Sequence, residues 1–288
     1  MPVVRHKMDI ITSRDNQSVK NTKKLLEKAS ARKKQGLFVA EGVKMCDEAL
    51  MLGKAETLIL SESFYDKCLS GKTSDGPEAR LISEKGQHIS DAAKCGKALV
   101  FSDGVFNSLS DTVHPQGVMA LVKMAENRVF DKAFLQDAYD KNGRIKLLIL
   151  DDVADPGNLG TMMRTAEAAG MTGVVMSKGC VDIYNPKTVR STMGSIFRVP
   201  FEYVENIVET SESLKKLSVK LYVTHLKGEK YFNEITYFDR SAVVIGNEAR
   251  GVSDELAGIC DTLVKIPMHG KVESLNAGIA AALMMYAL

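Results

Sequence analysis

The chain has 288 residues, 45% of them hydrophobic, with 38 basic and 36 acidic side chains and a formal net charge of +2. This length favours two domains, and the apolar fraction supports packed cores, which excludes a disordered chain. No apolar run reaches transmembrane length, the start MPVVRHKMDI lacks a secretory stretch, and the five cysteines (Cys46, Cys68, Cys95, Cys180, Cys260) form no CxxC pair, so we expect a cytoplasmic protein with reduced thiols and no metal site.

Charge is unevenly spread. Residues 5–34 carry 10 basic and 3 acidic side chains, which reads either as a phosphate-contacting surface or as a solvated helix face. A Lys-rich helix is predicted over 18–31, with Gly36 as a break and a buried strand over 37–40. A second helix runs through Val43, Cys46, Ala49 and Leu50 and stops at Gly53. Strands follow at 57–60, 98–101 and 118–122, with a polar loop over 70–76. Residues 1–125 therefore read as a small α/β unit, and 126–144 as a linker or connecting helix.

The run over 145–150 is uninterrupted and apolar, as in strands buried on both faces. Similar runs recur at 173–176, 221–223, 242–245 and 262–266, with helical patterns between them. Residues 145–288 thus predict a parallel sheet covered by helices.

Three loops after these strands carry polar residues at the sheet edge where ligands sit in open α/β folds. The first, Asp155-Pro156-Gly157-Asn158-Leu159-Gly160, leads into a helix for which Asn158 is the expected cap. On that helix Gly160, Arg164 and Ala168 share a face, so one arginine stands among nearly absent neighbours. The second loop is Ile245-Gly246-Asn247-Glu248-Ala249-Arg250-Gly251. The third starts at Ile266-Pro267-Met268 and reaches Ser274-Leu275-Asn276, which open an apolar helix containing Gly278, Ala280, Ala281 and Ala282. Each loop alone has an ordinary explanation as a cap or a turn. The glycine fingerprint of a nicotinamide enzyme and the P-loop lysine pattern do not occur.

In this order, Asn158…Arg164…Gly170, Ile245-Gly246-Asn247-Glu248…Gly251 and Ile266-Pro267-Met268…Ser274-Leu275-Asn276 resemble the three motifs of the SpoU (TrmH-like) RNA ribose methyltransferases of the SPOUT superfamily. Tyr184-Asn185-Pro186-Lys187…Arg190-Ser191…Gly194-Ser195 is similar to the segment between that family's first two motifs. Asn16, Lys20, Arg32 and Glu41-Gly42 are similar to its small L30e-like substrate-binding domain.

The resemblance implies a C-terminal SPOUT domain with a parallel sheet and a deep trefoil knot, and a homodimer packed through the knot region. It implies S-adenosylmethionine held largely by backbone groups at Thr224, Ile245, Gly246, Ile266, Met268 and Leu275. Its motif-one arginine, Arg164, is the family's proposed base; because a guanidinium resists deprotonation, we read it as the group that fixes the target phosphate and ribose. Asn158, Glu248, Ser274 and Asn276 would orient Arg164 or the target nucleotide. Lys20, Arg32, Lys33 and Arg190 would contact structured RNA, with rRNA favoured. The alternatives are a tRNA ribose methyltransferase and a non-catalytic RNA-binding protein on the same fold.

Overall fold

The computed structural model describes residues 9–70, 84–126, 128 and 130–288. The predicted loop over 70–76 falls outside them beyond Ser70, as do the first eight residues of the basic N-terminus. The chain forms two compact units: Met1–Ala125 with Tyr184–Gly194, and Glu126–Ile183 with Ser195–Leu288.

In the first unit the strands are β1 (Ile10–Ile11), β2 (Leu37–Glu41), β3 (Ala55–Ser61), β4 (Ala98–Phe101) and β5 (Val118–Lys123). They form one sheet in the order β1-β4-β3-β5-β2. β1, β4 and β3 run parallel, and β5 lies antiparallel to both β3 and β2. The helices are α1 (Gln17–Glu27), α2 (Ala29–Gln35), α3 (Val43–Met51), α4 (Glu62–Ser70), α5 (Gln87–Lys94) and α6 (Asp103–Asn107). Val19 and Leu25 of α1 pack with Val39, Ile59, Phe101 and Leu121 in its core.

The helix predicted over 18–31 is two helices. Lys28 between them is extended, at φ −121° and ψ 113°, and Arg32 explains the break. Its side chain is buried (3% exposed) and Nη1 donates to the carbonyls of Leu25 at 2.8 Å and Leu26 at 3.2 Å. These belong to the last turn of α1, whose carbonyls have no partner along the helix. The turn at Lys28 folds α2 back far enough for the guanidinium to cap them. Neither glycine nor proline marks that position, so no local signal announces it.

The second unit contains β6 (Ile145–Leu150), β7 (Gly173–Ser177), β8 (Phe201–Val204), β9 (Lys220–Thr224), β10 (Lys230–Tyr231), β11 (Arg240–Ile245) and β12 (Thr262–Lys265). Their order is β10-β12-β9-β11-β6-β7-β8, and every neighbouring pair is parallel. Ile145, Leu147 and Ile149 enter one core cluster with Leu135, Leu221, Val223, Val244 and Leu256. Leu148 and Leu150, on the opposite face, are equally buried. Cover on both faces is why β6 reads as an unbroken apolar run rather than an alternating one. The helices here are α7 (Lys132–Asn142), α8 (Pro156–Ala168), α10 (Ile207–Lys216), α11 (Asp254–Ile259) and α12 (Ala277–Ala287); α9 (Pro186–Thr192) belongs to the first unit. Within the stretch read as a linker, α7 starts at an Asp131 cap and inserts Leu135 into this core. α12 packs against α8 through its small face, where Gly278 and Ala281 are buried. Among the described residues, no helix is long and apolar enough to cross a membrane.

Candidate active site at the edge of the parallel sheet

Strands β12, β9 and β11 are adjacent and parallel, with Val264 level with Thr224 and Val244 level with Val223. Thr224, Ile245 and Ile266 therefore leave the sheet together at its C-terminal edge. The loop after the neighbouring β6 leads into α8. Asp155 is the cap of that helix: its Oδ1 accepts from the Asn158 amide N–H at 2.7 Å, and Pro156 fills the first turn, where its missing N–H costs nothing. This corrects the expectation that Asn158 is the cap. With Asp155 in that role, the Asn158 side chain is one turn in and projects outward.

Three distant loops meet at Asn158. Its Nδ2 donates to Glu248 Oε1 at 2.9 Å, and its Oδ1 accepts from Asn276 Nδ2 at 2.9 Å. Glu248 also accepts from the backbone N–H of Ala154 at 3.1 Å and Asp155 at 3.2 Å. Asn276 Oδ1 caps α12 by accepting from the N–H of Gly278 at 2.9 Å and Ile279 at 3.3 Å. Partial burial works to raise the Glu248 carboxyl; hydrogen bonds from Asn158 and from the Ala154 and Asp155 amides outweigh it and hold the group below the usual carboxylate range. Glu248 is thus a fixed anion and acceptor, which disfavours it as a proton donor near neutral pH.

The loop carrying Glu248 is closed by reciprocal backbone bonds between Asn247 and Gly251, at 3.0 and 2.9 Å. The Asn247 side chain accepts from Ala249 and Arg250 amides and donates to the Asp152 carbonyl at 2.8 Å. Asp151, buried at the end of β6, accepts from the Ser253 N–H at 2.9 Å. Asp151 was not singled out in the sequence, and Asp155 and Asn247 appeared there only as parts of loops. An Asp-Asp pair directly after a buried strand is the signal that could have drawn attention to Asp151.

The Arg164 side chain is exposed on α8 and, among the described residues, forms no ion pair or hydrogen bond. For an exposed helical arginine, a carboxylate partner is the ordinary expectation; this one is free to meet an external anion. Ser274 is exposed on the approach to α12. Thr224 is half-buried with its hydroxyl 3.5 Å from the Val244 carbonyl, Ile245 is buried, and Ile266, Met268 and Leu275 are half-buried. Among the described residues, the backbone groups of residues 267–275 have no hydrogen-bond partner. A half-buried apolar wall beside unused N–H and C=O groups suits a ligand with an aromatic base and polar edges.

The four basic candidates differ. Arg32 is corrected: its guanidinium is buried against helix carbonyls, so it serves the fold and is not available to a phosphate. Arg190, in the first unit, is held by Asp111 at 3.2 Å and lies 3.9 Å from Glu41. Glu41 also accepts from Ser110 and Thr112. Lys20 pairs with Asp15 at 2.9 Å on the surface. Lys33 is exposed and, among the described residues, unpaired. Two substitutions that look alike in sequence should therefore diverge. Arg32→Ala leaves the Leu25 and Leu26 carbonyls unsatisfied and should cost about 1–3 kcal/mol of stability. Lys33→Ala should leave the unfolding midpoint unchanged and, under the RNA-contacting role the resemblance implies, lower RNA affinity and reduce its salt slope by roughly one unit. Denaturant unfolding and salt-titrated RNA binding measure both; equal stability losses would remove the distinction.

Burial pushes the thiols of Cys46, Cys68, Cys180 and Cys260 up and away from reactivity, Cys68 to about 11 and Cys260 to about 12.

The SpoU rRNA methylase family model matches residues 146–286, and an MRM3-like substrate binding domain matches residues 16–120. The 23S rRNA (guanosine(2553)-2'-O)-methyltransferase RlmP of Bacillus subtilis is 32% identical over 281 residues, which is 98% of this chain and 99% of that one. A solved structure of an AdoMet-bound rRNA methyltransferase from Sinorhizobium meliloti aligns with a TM-score of 0.74 at 28% identity, covering 97% of this chain and 96% of that one. Another, of an RNA 2'-O ribose methyltransferase, aligns with a TM-score of 0.75 at 26% identity, covering 97% of each. With a relative above 30% identity spanning nearly the whole length of both chains, and all three sequence motifs gathered at one sheet edge, this chain belongs to the SpoU methylase family.

Proposed function

We propose that the chain transfers the methyl group of S-adenosylmethionine to a ribose 2′-hydroxyl of ribosomal RNA. The observation that carries this reading is the chain of contacts Asn276–Asn158–Glu248 with the free Arg164 on the same helix as Asn158. It couples the three motif loops into one rigid site beside an exposed cation.

S-adenosylmethionine supplies an electrophilic methyl group. The residues placed to hold it are Thr224, Ile245, Gly246, Ile266, Met268 and Leu275, which offer apolar surface and the unused backbone groups of residues 267–275. Arg164 binds the phosphate next to the target ribose and so fixes the hydroxyl for attack, a contribution that positioning alone can make large. Glu248 is kept anionic and orients Asn158, and Asn158 and Asn276 together fix the start of α12 against α8. Ser274 faces the target nucleotide.

Lys33, Lys20 and, once released from its carboxylates, Arg190 are the RNA contacts of this reading. The 32% identity over nearly the whole chain to a 23S rRNA 2'-O-methyltransferase favours rRNA over tRNA. We also assign a deep trefoil knot and a homodimer. β12 returns between β9 and β10 before α12 packs on α8, as a threaded C-terminal segment would. Tyr286 of α12, 66% exposed, lines a groove with Phe232, Ile235, Tyr237 and Leu283, and Ile279, one turn before Leu283 on the same helix, is 54% exposed, an apolar face that a second copy would cover. The protein acts in the cytoplasm in this reading.

The test is transfer of labelled methyl from S-adenosylmethionine to 23S rRNA, 16S rRNA and tRNA, with the product mapped by resistance to alkaline hydrolysis. We expect one alkali-resistant position in 23S rRNA. Label on a base, or in tRNA alone, would overturn the assignment.

A further inference from the structure

On α8 the side chains one turn from Arg164 are Gly160, Thr161, Glu167 and Ala168. Glu167 is the only charged group among them, and three residues away it is positioned to neutralise Arg164. It does not do so, because it is held elsewhere. Arg198 grips it through two parallel bonds, Nε to Oε1 at 2.5 Å and Nη2 to Oε2 at 3.0 Å, and the buried Ser195 hydroxyl donates to Oε2 at 2.5 Å. Ser195 and Arg198 belong to a single tight turn, a 3-10 helix over Ser195–Phe197 closed by Arg198 and Val199 N–H bonds to the Ser195 carbonyl. That turn packs on α8.

We infer that Arg198, with Ser195, is a positioning pair whose task is to sequester Glu167 and so keep Arg164 unpaired for the RNA phosphate. A forked guanidinium–carboxylate pair is geometrically specific and stronger than a single charged contact, so Glu167 has a better partner than Arg164. The same contacts hold the Glu167 carboxyl below its ordinary range, chiefly through Arg198. Glu167 is thereby anionic and fully engaged, and contributes little field at Arg164.

This inference rests on the reading of Arg164 as the phosphate-binding group, and the experiment separates the two. Arg198→Gln releases Glu167, which then pairs with Arg164 or repels the incoming phosphate. We expect kcat/KM for rRNA methylation to fall about tenfold, the scale of one uncompensated unit charge at helix-neighbour distance. S-adenosylmethionine affinity should stay within twofold. Adding Glu167→Gln to Arg198→Gln removes that charge and should recover kcat/KM to within about threefold of wild type, although the clamp is still absent. A purely structural clamp predicts the opposite, a double variant at least as impaired as the single one. Full activity in Arg198→Gln, or no recovery in the double variant, overturns the proposal. If instead Arg164→Ala itself retains activity, the reading of Arg164 fails first. Thermal unfolding of each variant identifies any that lose activity by failing to fold.

Discussion

Arg164→Ala should lower methyl transfer to rRNA at least about a hundredfold and leave S-adenosylmethionine affinity within about threefold of wild type. The separation follows from where the side chain stands. It is exposed, and among the described residues it contributes no bond to the Asn158–Glu248–Asn276 chain. Its removal therefore leaves the loops that surround the proposed cofactor site as they are. Helix propensity favours alanine at such a position, so stability should change by no more than about 0.5 kcal/mol. What is lost is the fork that can grip a phosphate through two oxygens. Arg164→Lys keeps the charge without the fork and should fall between wild type and alanine. Single-turnover transfer at saturating RNA, together with calorimetry of the cofactor, measures both quantities. A variant that loses cofactor affinity but keeps its transfer rate would refute the assignment.

The role of this arginine came from the resemblance of the three ordered motifs to the SpoU family, whereas sequence spacing set it apart, because Gly160 and Ala168 leave it alone on its face. The parallel sheet was legible for a similar reason. Strands such as β6, covered on both sides, must be apolar throughout, and an unbroken run is easy to read. β1, β8 and β10 were not legible: each is two to four residues long and lies at a sheet edge, so too few positions exist for a period to emerge. The site was legible as a set of three motifs but not as a network. Asn158, Glu248 and Asn276 were named from the order of the loops, whereas their mutual bonds span 90 and 118 residues and depend on which strands are neighbours. The choice of Asp155 over Asn158 as helix cap was also hidden, since both residue types cap well and only the backbone decides. Arg32 shows the converse failure. A basic residue in a basic segment reads as surface, and nothing local reveals that helix α1 ends early enough for its carbonyls to claim the guanidinium.

Gly246→Ala should weaken cofactor binding more than about tenfold, and here the effect comes from backbone geometry rather than chemistry. A Cβ at Gly246 would lie 2.2 Å from the Gly251 carbonyl carbon and the Val252 nitrogen, and 2.3 Å from the Gly251 oxygen. These are main-chain atoms, so no side-chain rotation relieves the overlap. Nor can the loop retreat easily. Gly251 is tied back to Asn247 by two hydrogen bonds, Asn247 is anchored to the Asp152 carbonyl, and Ser253 is anchored to the buried Asp151. Relief requires the loop to swing outward, which carries Glu248 away from Asn158 and the Ala154 and Asp155 amides. Overpacking of this kind typically costs about 1–3 kcal/mol, and the displaced Glu248 bonds add to it. We expect S-adenosylmethionine affinity to fall more than about tenfold and the melting temperature to drop by several degrees. Gly258→Ala is the matched control. It lies in α11, its Cβ would meet nothing within 4 Å, and alanine is the better helix former, so that variant should be neutral or slightly stabilised with cofactor affinity intact. Wild-type cofactor affinity and an unchanged melting temperature in Gly246→Ala would mean that the loop is mobile enough to absorb the methyl group, and that its rigidity is not what shapes the site.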